Sequence, residues 1–172
     1  MLTLWRLEKE RYADPAVRGK GSLKTSGRWH HKGTQVAYAS EHPGVAVLEK
    51  LAWLGSYDGA RESSYVLLPL HLHPDEHQEP LDESALPDDW DSFLHPEATR
   101  DLGTQWVEAE RSAVLAVPSA PLGVLGLSAP GAVLPVAKNY LINPFHPDFR
   151  KLERGEPVPF FWDARLFRRA KD

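Results

Sequence analysis

At 172 residues the chain has the size of one domain around one core. With 42% hydrophobic and 26% charged residues it has the balance of an ordinary globular protein rather than of a disordered one. A net charge of −4 argues against nucleic-acid binding by this chain, and the absence of cysteine excludes disulfides, thiolate zinc sites and a cysteine nucleophile.

In chain order, the alternation of Leu2–Arg6 predicts an opening strand, and the charges that come at once after it are wrong for a signal peptide. No apolar run approaches the roughly 18 residues that span a bilayer, so the expected compartment is the cytoplasm. Residues 11–27, polar and carrying three glycines, predict a loop. Thr34–Ala39 predicts a strand with Val36 and Tyr38 on one face. Ser40 is placed to cap the next helix, Gly44 to Leu54, with Pro43 in its first turn and Gly55 at its end. Val45, Leu48 and Ala52 mark that helix's inward face. Ser63–Leu72 is the strongest strand signal in the chain. Residues 73–96, acidic and containing proline, predict a long loop or insertion. The spacing of Leu102, Trp106, Ala109 and Ala113 predicts a helix over 97–111, and Ala113–Val117 a buried strand stopped by Pro118. Residues 123–136 predict mixed strand and turn, 139–147 a compact turn, and 159–163 a last strand. The basic cluster Arg165, Arg168, Arg169 and Lys171 predicts a solvated tail. Strands with two inserted helices predict an α+β fold in a single domain over 1–172, with a core of about 5–168.

Three residues stand out between 27 and 50. Glu49 lies at the edge of an apolar helix face, and its helical neighbours Val45, Ala46, Ala52 and Trp53 include no cation. It is either a rim carboxylate reaching water or a pocket carboxylate whose burial gives it chemical use. Arg28 offers a planar fork for carboxylate or phosphate, and Gly27 before it permits close backbone approach by a ligand. A surface salt bridge is the bland alternative. Tyr38, closing a strand, reads as core or as site. Elsewhere, His71 and His73 share a strand face, and with Asp75 they could build a mononuclear metal site; no metal signature motif supports it. Ser119 ends an apolar strand without a nucleophile elbow around it.

Several segments together resemble the RES-domain toxins of bacterial toxin–antitoxin pairs. They are Gly27-Arg28-Trp29, Val36 to Ser40, Ala46 to Glu49, Gly103 to Trp106, Val117-Pro118-Ser119, Asn139 to Pro144 continuing to Phe149, and Phe161 to Arg165. They run in family order over nearly the whole chain, and the 73–96 stretch looks longer than a compact member needs. The resemblance implies an ADP-ribosyltransferase-like fold with a mixed or antiparallel β core. It also implies consumption of NAD⁺ by hydrolysis or phosphorolysis, or ADP-ribosylation of a protein. In that setting Glu49 would stabilise the oxocarbenium-like charge or activate the acceptor. Arg28, with Arg6 as a further candidate, would contact phosphate or ribose. Tyr38 would stack on nicotinamide or bond the ribose, and Ser119 and Asn139 would bond ribose or carboxamide. NAD⁺ is then the substrate, and neither a metal nor a prosthetic group is needed. The implied partner is an Xre-type helix-turn-helix antitoxin that carries the DNA binding, in a homodimer or a hetero-oligomer. Two rival classes stay open: a metal-dependent hydrolase at His71, His73 and Asp75, and a non-catalytic binding module.

Overall fold

The chain is described by a computed structural model for residues 1–54, 56–73, 78–124 and 137–167. The strands are β1 (Leu2–Lys9), β2 (Ala37–Ser40), β3 (Tyr65–Leu72), β4 (Gln78–Pro80), β5 (Val114–Pro118), β6 (Lys138–Ile142), β7 (Glu153–Arg154) and β8 (Val158–Phe160). The helices are α1 (Ala13–Val17), α2 (Pro43–Leu51), α3 (Tyr57–Arg61), α4 (Glu97–Glu108) and α5 (Ala120–Val124). One mixed sheet runs β4-β5-β6-β2-β1-β3-β7, with β8 beside β7 on the outer edge of β3. Among the described strands only the short β4–β5 edge is parallel; the other pairs are antiparallel. The α+β expectation, with a mixed β core, holds.

Alternation along the strands divides the apolar side chains between two sheet faces. Leu4, Ala37, Ala39, Leu68, Leu70, Val114, Tyr140 and Ile142 form one cluster. The other face carries two. Trp29, Trp106, Leu115, Val117 and Leu141 pack under α4, while Leu7, Ala46, Tyr65 and Trp162 pack under α2.

Several expected elements move. Residues 139–142, expected in a turn, form the central strand β6, bonded to β2 on one side and β5 on the other. A strand buried on both faces loses its alternation, and the nearby Asn143-Pro144 obscures this one. The turn begins only after Ile142. The first loop contains α1, whose Ala13, Ala16 and Val17 are buried. Helix α4 ends at Glu108, and Thr99, Gly103, Trp106 and Val107 are buried on it, so Ala113 belongs to the approach to β5 rather than to a helical stripe. On α2 the buried residues are Val45 and Ala46, and Ala52 is exposed. The 73–96 stretch is in part built into the fold: β4 extends the sheet, and Leu81, Leu86 and Trp90 pack against the Trp106 cluster. The expected strand and turn after 124, the helix stop at Gly55, Asp75, and the tail residues Arg168, Arg169 and Lys171 lie outside the described residues.

Candidate active site

The site lies on the sheet face where the Trp106 cluster meets α2. Strand β2 leads into α2, so Tyr38, Ser40 and Glu49 are set by one short strand–helix unit. Ser40 does not cap α2. His42 is the N-cap, its Nδ1 accepting from the Gly44 N–H at 3.0 Å, and Pro43 occupies the first helical position. The Ser40 hydroxyl is thereby released to the sheet.

Glu49 projects from α2 toward the ends of β5 and β6. The Ser119 hydroxyl donates to its Oε1 at 2.8 Å, and the Asn139 Nδ2 donates to the same oxygen. Ser119 is fully buried and Asn139 nearly so. Ser40, directly opposite Asn139 in the β2–β6 register, donates from Oγ to the Asn139 Oδ1 at 2.7 Å. A directed chain results: Ser40 to Asn139 to Glu49, with Ser119 joining at the same carboxylate oxygen. Glu49 has no cation within ion-pair distance among the described residues.

Arg28 sits at the tip of a tight turn closed by the Gly27 N–H donating to the His30 carbonyl at 3.1 Å. Gly27 is required there because a Cβ would meet the His30 ring at 2.5 Å and the Tyr38 hydroxyl at 3.0 Å. The close approach expected from a ligand is made by the protein itself. Gly103 seats the same turn on α4, since its Cβ would lie 1.9 Å from the Trp29 carbonyl oxygen. The Arg28 guanidinium forms no salt bridge among the described residues. It donates to the backbone carbonyls of Trp90 at 2.5 Å and Ser92 at 2.9 Å. Burial pulls its pKa below the ordinary value, while the nearby carboxylates of Glu49 and Asp91 oppose that shift.

The 90–95 segment is thus a strap tied at both ends. Trp90 stacks on Trp29 with ring centroids 6.2 Å apart, and His95 meets Trp53, one helical turn beyond Glu49, edge-on at 5.4 Å. Phe93 and Leu94 between them are exposed. A cavity of about 470 Å³ lies elsewhere, lined by His31, Lys32, Thr34, Gln35, Thr104 and Phe145, and includes none of Arg28, Tyr38, Glu49, Ser119 or Asn139.

Tyr38 has a committed hydroxyl. It accepts from the Trp29 N–H at 3.3 Å and lies 2.6 Å from the His30 Nδ1. The His30 Nε2 faces the Thr25 carbonyl at 3.0 Å, which can only accept, so Nε2 carries the proton and Nδ1 accepts from Tyr38. Burial lowers the His30 pKa, which favours this neutral tautomer, and burial drives the Tyr38 phenol well above its ordinary value. What Tyr38 can offer a ligand is its ring. Arg6 donates to the Tyr38 carbonyl at 2.8 Å and to Glu8 at 2.8 Å. It braces β2, and its Nε is buried without a hydrogen-bond partner among the described residues.

The structure therefore brings Glu49, Ser119 and Asn139 into direct contact and sets Arg28 and Tyr38 close enough to Glu49 for electrostatic coupling. Ser40, His30 and the strap carbonyls are the members that sequence reasoning misses. Ser40 does lie in the Val36 to Ser40 segment that carries the resemblance, but its place before the helix reads as a cap and hides its link to Asn139. His71 and His73 take different partners, Thr3 at 3.1 Å and Glu153 at 3.2 Å, and the described residues contain no cluster of three metal-ligating side chains.

The RES domain family matches residues 3–163. Curated relatives called Toxin Res are 34% identical in Pseudomonas putida, over 96% of this chain and 100% of the relative, and 31% identical in Yersinia enterocolitica, over 96% and 99%. A relative from Sphingobium sp. called Prs ADP-ribosylating toxin is 28% identical over 98% of both chains. Among solved structures, a chain of the MbcT–MbcA toxin–antitoxin complex of M. tuberculosis superposes with a TM-score of 0.66 at 13% identity, covering 92% of this chain and 83% of that one.

Proposed function

Because this chain belongs to the RES-domain family, we propose that it is the toxin of a toxin–antitoxin pair and that it cleaves the nicotinamide–ribose bond of NAD⁺ at Glu49. The observation that carries the reading is the state of that carboxylate, oriented by two neutral donors and with no cation within ion-pair distance among the described residues. As the C–N bond breaks, its electron pair leaves with nicotinamide, which becomes neutral, and positive charge develops on the ribose. A fixed, unpaired carboxylate beside that carbon stabilises the charge without reorganising. Both donors address Oε1, so Oε2 is the oxygen left to face the substrate or to take the proton of an attacking water. With phosphate as acceptor, a phosphate oxygen forms the new C–O bond and the product is the ADP-ribose phosphate ester.

Arg28 supplies the complementary contact. Its present partners are neutral carbonyls, and a pyrophosphate oxygen offers the same fork a stronger, charge-assisted pair. Substrate binding in this reading exchanges the strap carbonyls for phosphate. The Tyr38 ring provides the stacking surface for nicotinamide. Ser119 and Asn139 act through Glu49, with the second Asn139 N–H available to the substrate.

A second acceptor is favoured by one observation, the relative named as an ADP-ribosylating toxin. The same bond breaks, and a protein side chain takes the ADP-ribose. An antitoxin partner of the Xre type, carrying the DNA binding, belongs to the same family context. The solved neighbour is itself a toxin–antitoxin complex, which supports a partner of that role.

The test is NAD⁺ consumption by the purified protein, with and without phosphate, beside Glu49→Gln. Loss of NAD⁺ that depends on Glu49 supports cleavage, and phosphate dependence identifies the acceptor. Labelled ADP-ribose appearing on protein favours transfer. No loss and no transfer overturns the proposal.

A further inference from the structure

We infer that Ser40 is the positioning residue of the Glu49 site: its hydroxyl sets which end of the Asn139 amide faces the carboxylate. The inference deepens the reading above and rests on it for its catalytic consequence.

An asparagine amide has one donor end and one acceptor end of nearly equal shape, so its neighbours decide its orientation. At Asn139 the two ends have opposite requirements. Nδ2 must face Glu49 Oε1, since a carbonyl oxygen there would be repelled by the carboxylate. Oδ1 then points back into the sheet, where Asn139 is only 7% exposed and little water can satisfy it. The group that meets it is the Ser40 hydroxyl at 2.7 Å, with Ser40 itself 3% exposed. The two residues are Cα partners on neighbouring strands, so backbone pairing fixes their distance.

The arrangement is asymmetric in a way that suits Glu49. Ser119 approaches Oε1 directly from the end of β5, through a short side chain with one relevant torsion. Asn139 has two torsions and depends on a third residue for its sense. Without the Ser40 hydroxyl, Oδ1 is a buried acceptor with no donor among the described residues, and the amide gains by turning toward any other donor. Turning withdraws Nδ2 from Glu49 and leaves the carboxylate held by Ser119 alone. The Ser40 hydroxyl is spent on Asn139 and makes no hydrogen bond to Glu49, so its effect belongs to the orientation of the carboxylate and falls on kcat rather than on NAD⁺ binding.

The sequence makes the test direct, because Asn139 and Asn143 are its only asparagines. Protein labelled with ¹⁵N at asparagine side chains gives two amide pairs, and Asn143, bonded to the Val107 carbonyl at 3.1 Å, serves as the internal control. In Ser40→Ala the Asn139 pair is expected to shift while the Asn143 pair stays. The kcat for NAD⁺ should fall about tenfold with KM within about twofold, and Ser40→Thr should recover most of it. In an Asn139→Ala background, Ser40→Ala should cost less than about a further twofold. An unmoved Asn139 pair, or an equal loss in both backgrounds, overturns the inference. If the parent protein consumes no NAD⁺, the proposed function fails, while the amide spectra of parent and Ser40→Ala still decide whether Ser40 holds Asn139.

Discussion

Two carboxylates meet neighbouring positions of one helix, Glu8 through its partner Lys50 and Glu49 as a residue of α2 itself, and they are satisfied in opposite ways. Glu8 on β1 accepts from Arg6 at 2.8 Å, from Lys50 at 2.8 Å and from the Lys9 N–H at 3.0 Å, with 11% of its side chain exposed. Burial alone would raise its pKa, but the two cations and the hydrogen bonds outweigh burial and hold it below the ordinary 4.5. Glu49, adjacent to Lys50 in sequence, receives a hydroxyl and an amide and, among the described residues, no cation. The helix turn sends Lys50 toward β1 and Glu49 toward β5 and β6. A carboxylate already neutralised twice has little field left for a developing positive charge. One oriented by neutral dipoles keeps it. The first builds stability, and the second is fit for chemistry.

The sharpest way to break that contrast is to neutralise each carboxylate in turn. Glu49→Gln should lower NAD⁺ turnover about a thousandfold, roughly 4 kcal/mol of transition-state stabilisation, with the melting temperature nearly unchanged. Steady-state kinetics beside thermal denaturation checks this, and full turnover in the variant would remove Glu49 from the mechanism. Glu8→Gln should do the reverse, costing about 3 kcal/mol of stability because Arg6 and Lys50 lose their shared anion, while turnover per folded molecule persists. Glu8 also predicts a pH dependence. A carboxyl whose folded pKa is depressed contributes stability that is present above its unfolded value and lost as pH falls through the folded one. Denaturant midpoints of the parent should therefore drop below about pH 4.5, and those of Glu8→Gln should drop less.

Two smaller effects sharpen the picture around Arg28 and Tyr38. Arg28→Ala should raise KM for NAD⁺ about tenfold, near 1.4 kcal/mol. Arg28→Lys should not restore it, because an ammonium cannot reproduce the two-pronged contact. Tyr38→Phe should be the mildest change, with turnover within about threefold. It should lose about 1 kcal/mol of stability as His30 Nδ1 is left without its donor. A large loss of turnover there would mean that the hydroxyl, and not the ring, serves the substrate.

Much of this arrangement is legible without the fold. Glu49 stands out because an apolar helix face without a local cation leaves a carboxylate unexplained, and the structure supplies its partners from other strands. Arg28 is recognisable as a fork, but its acceptors are main-chain carbonyls at 90 and 92, and carbonyls carry no residue identity that a sequence could reveal. Residues 139–142 read as a turn because a strand buried on both faces has no alternation to show. Ser40 reads as the helix cap, a sound local rule that loses to His42 two residues later.

What the sequence determined by itself is what depends on near neighbours: the β2–α2 unit that carries Tyr38 and Glu49, the main strands, the absence of thiol chemistry, and the ordered motifs of the RES family. The tertiary structure decided what depends on separation along the chain. Ser40 and Asn139 are 99 residues apart, Glu49 and Asn139 90, and Arg28 and Ser92 64. Hydrogen bonds act over about 3 Å, so which donor meets which acceptor is fixed only when the sheet sets its register. That register turns an unpartnered glutamate into an oriented one.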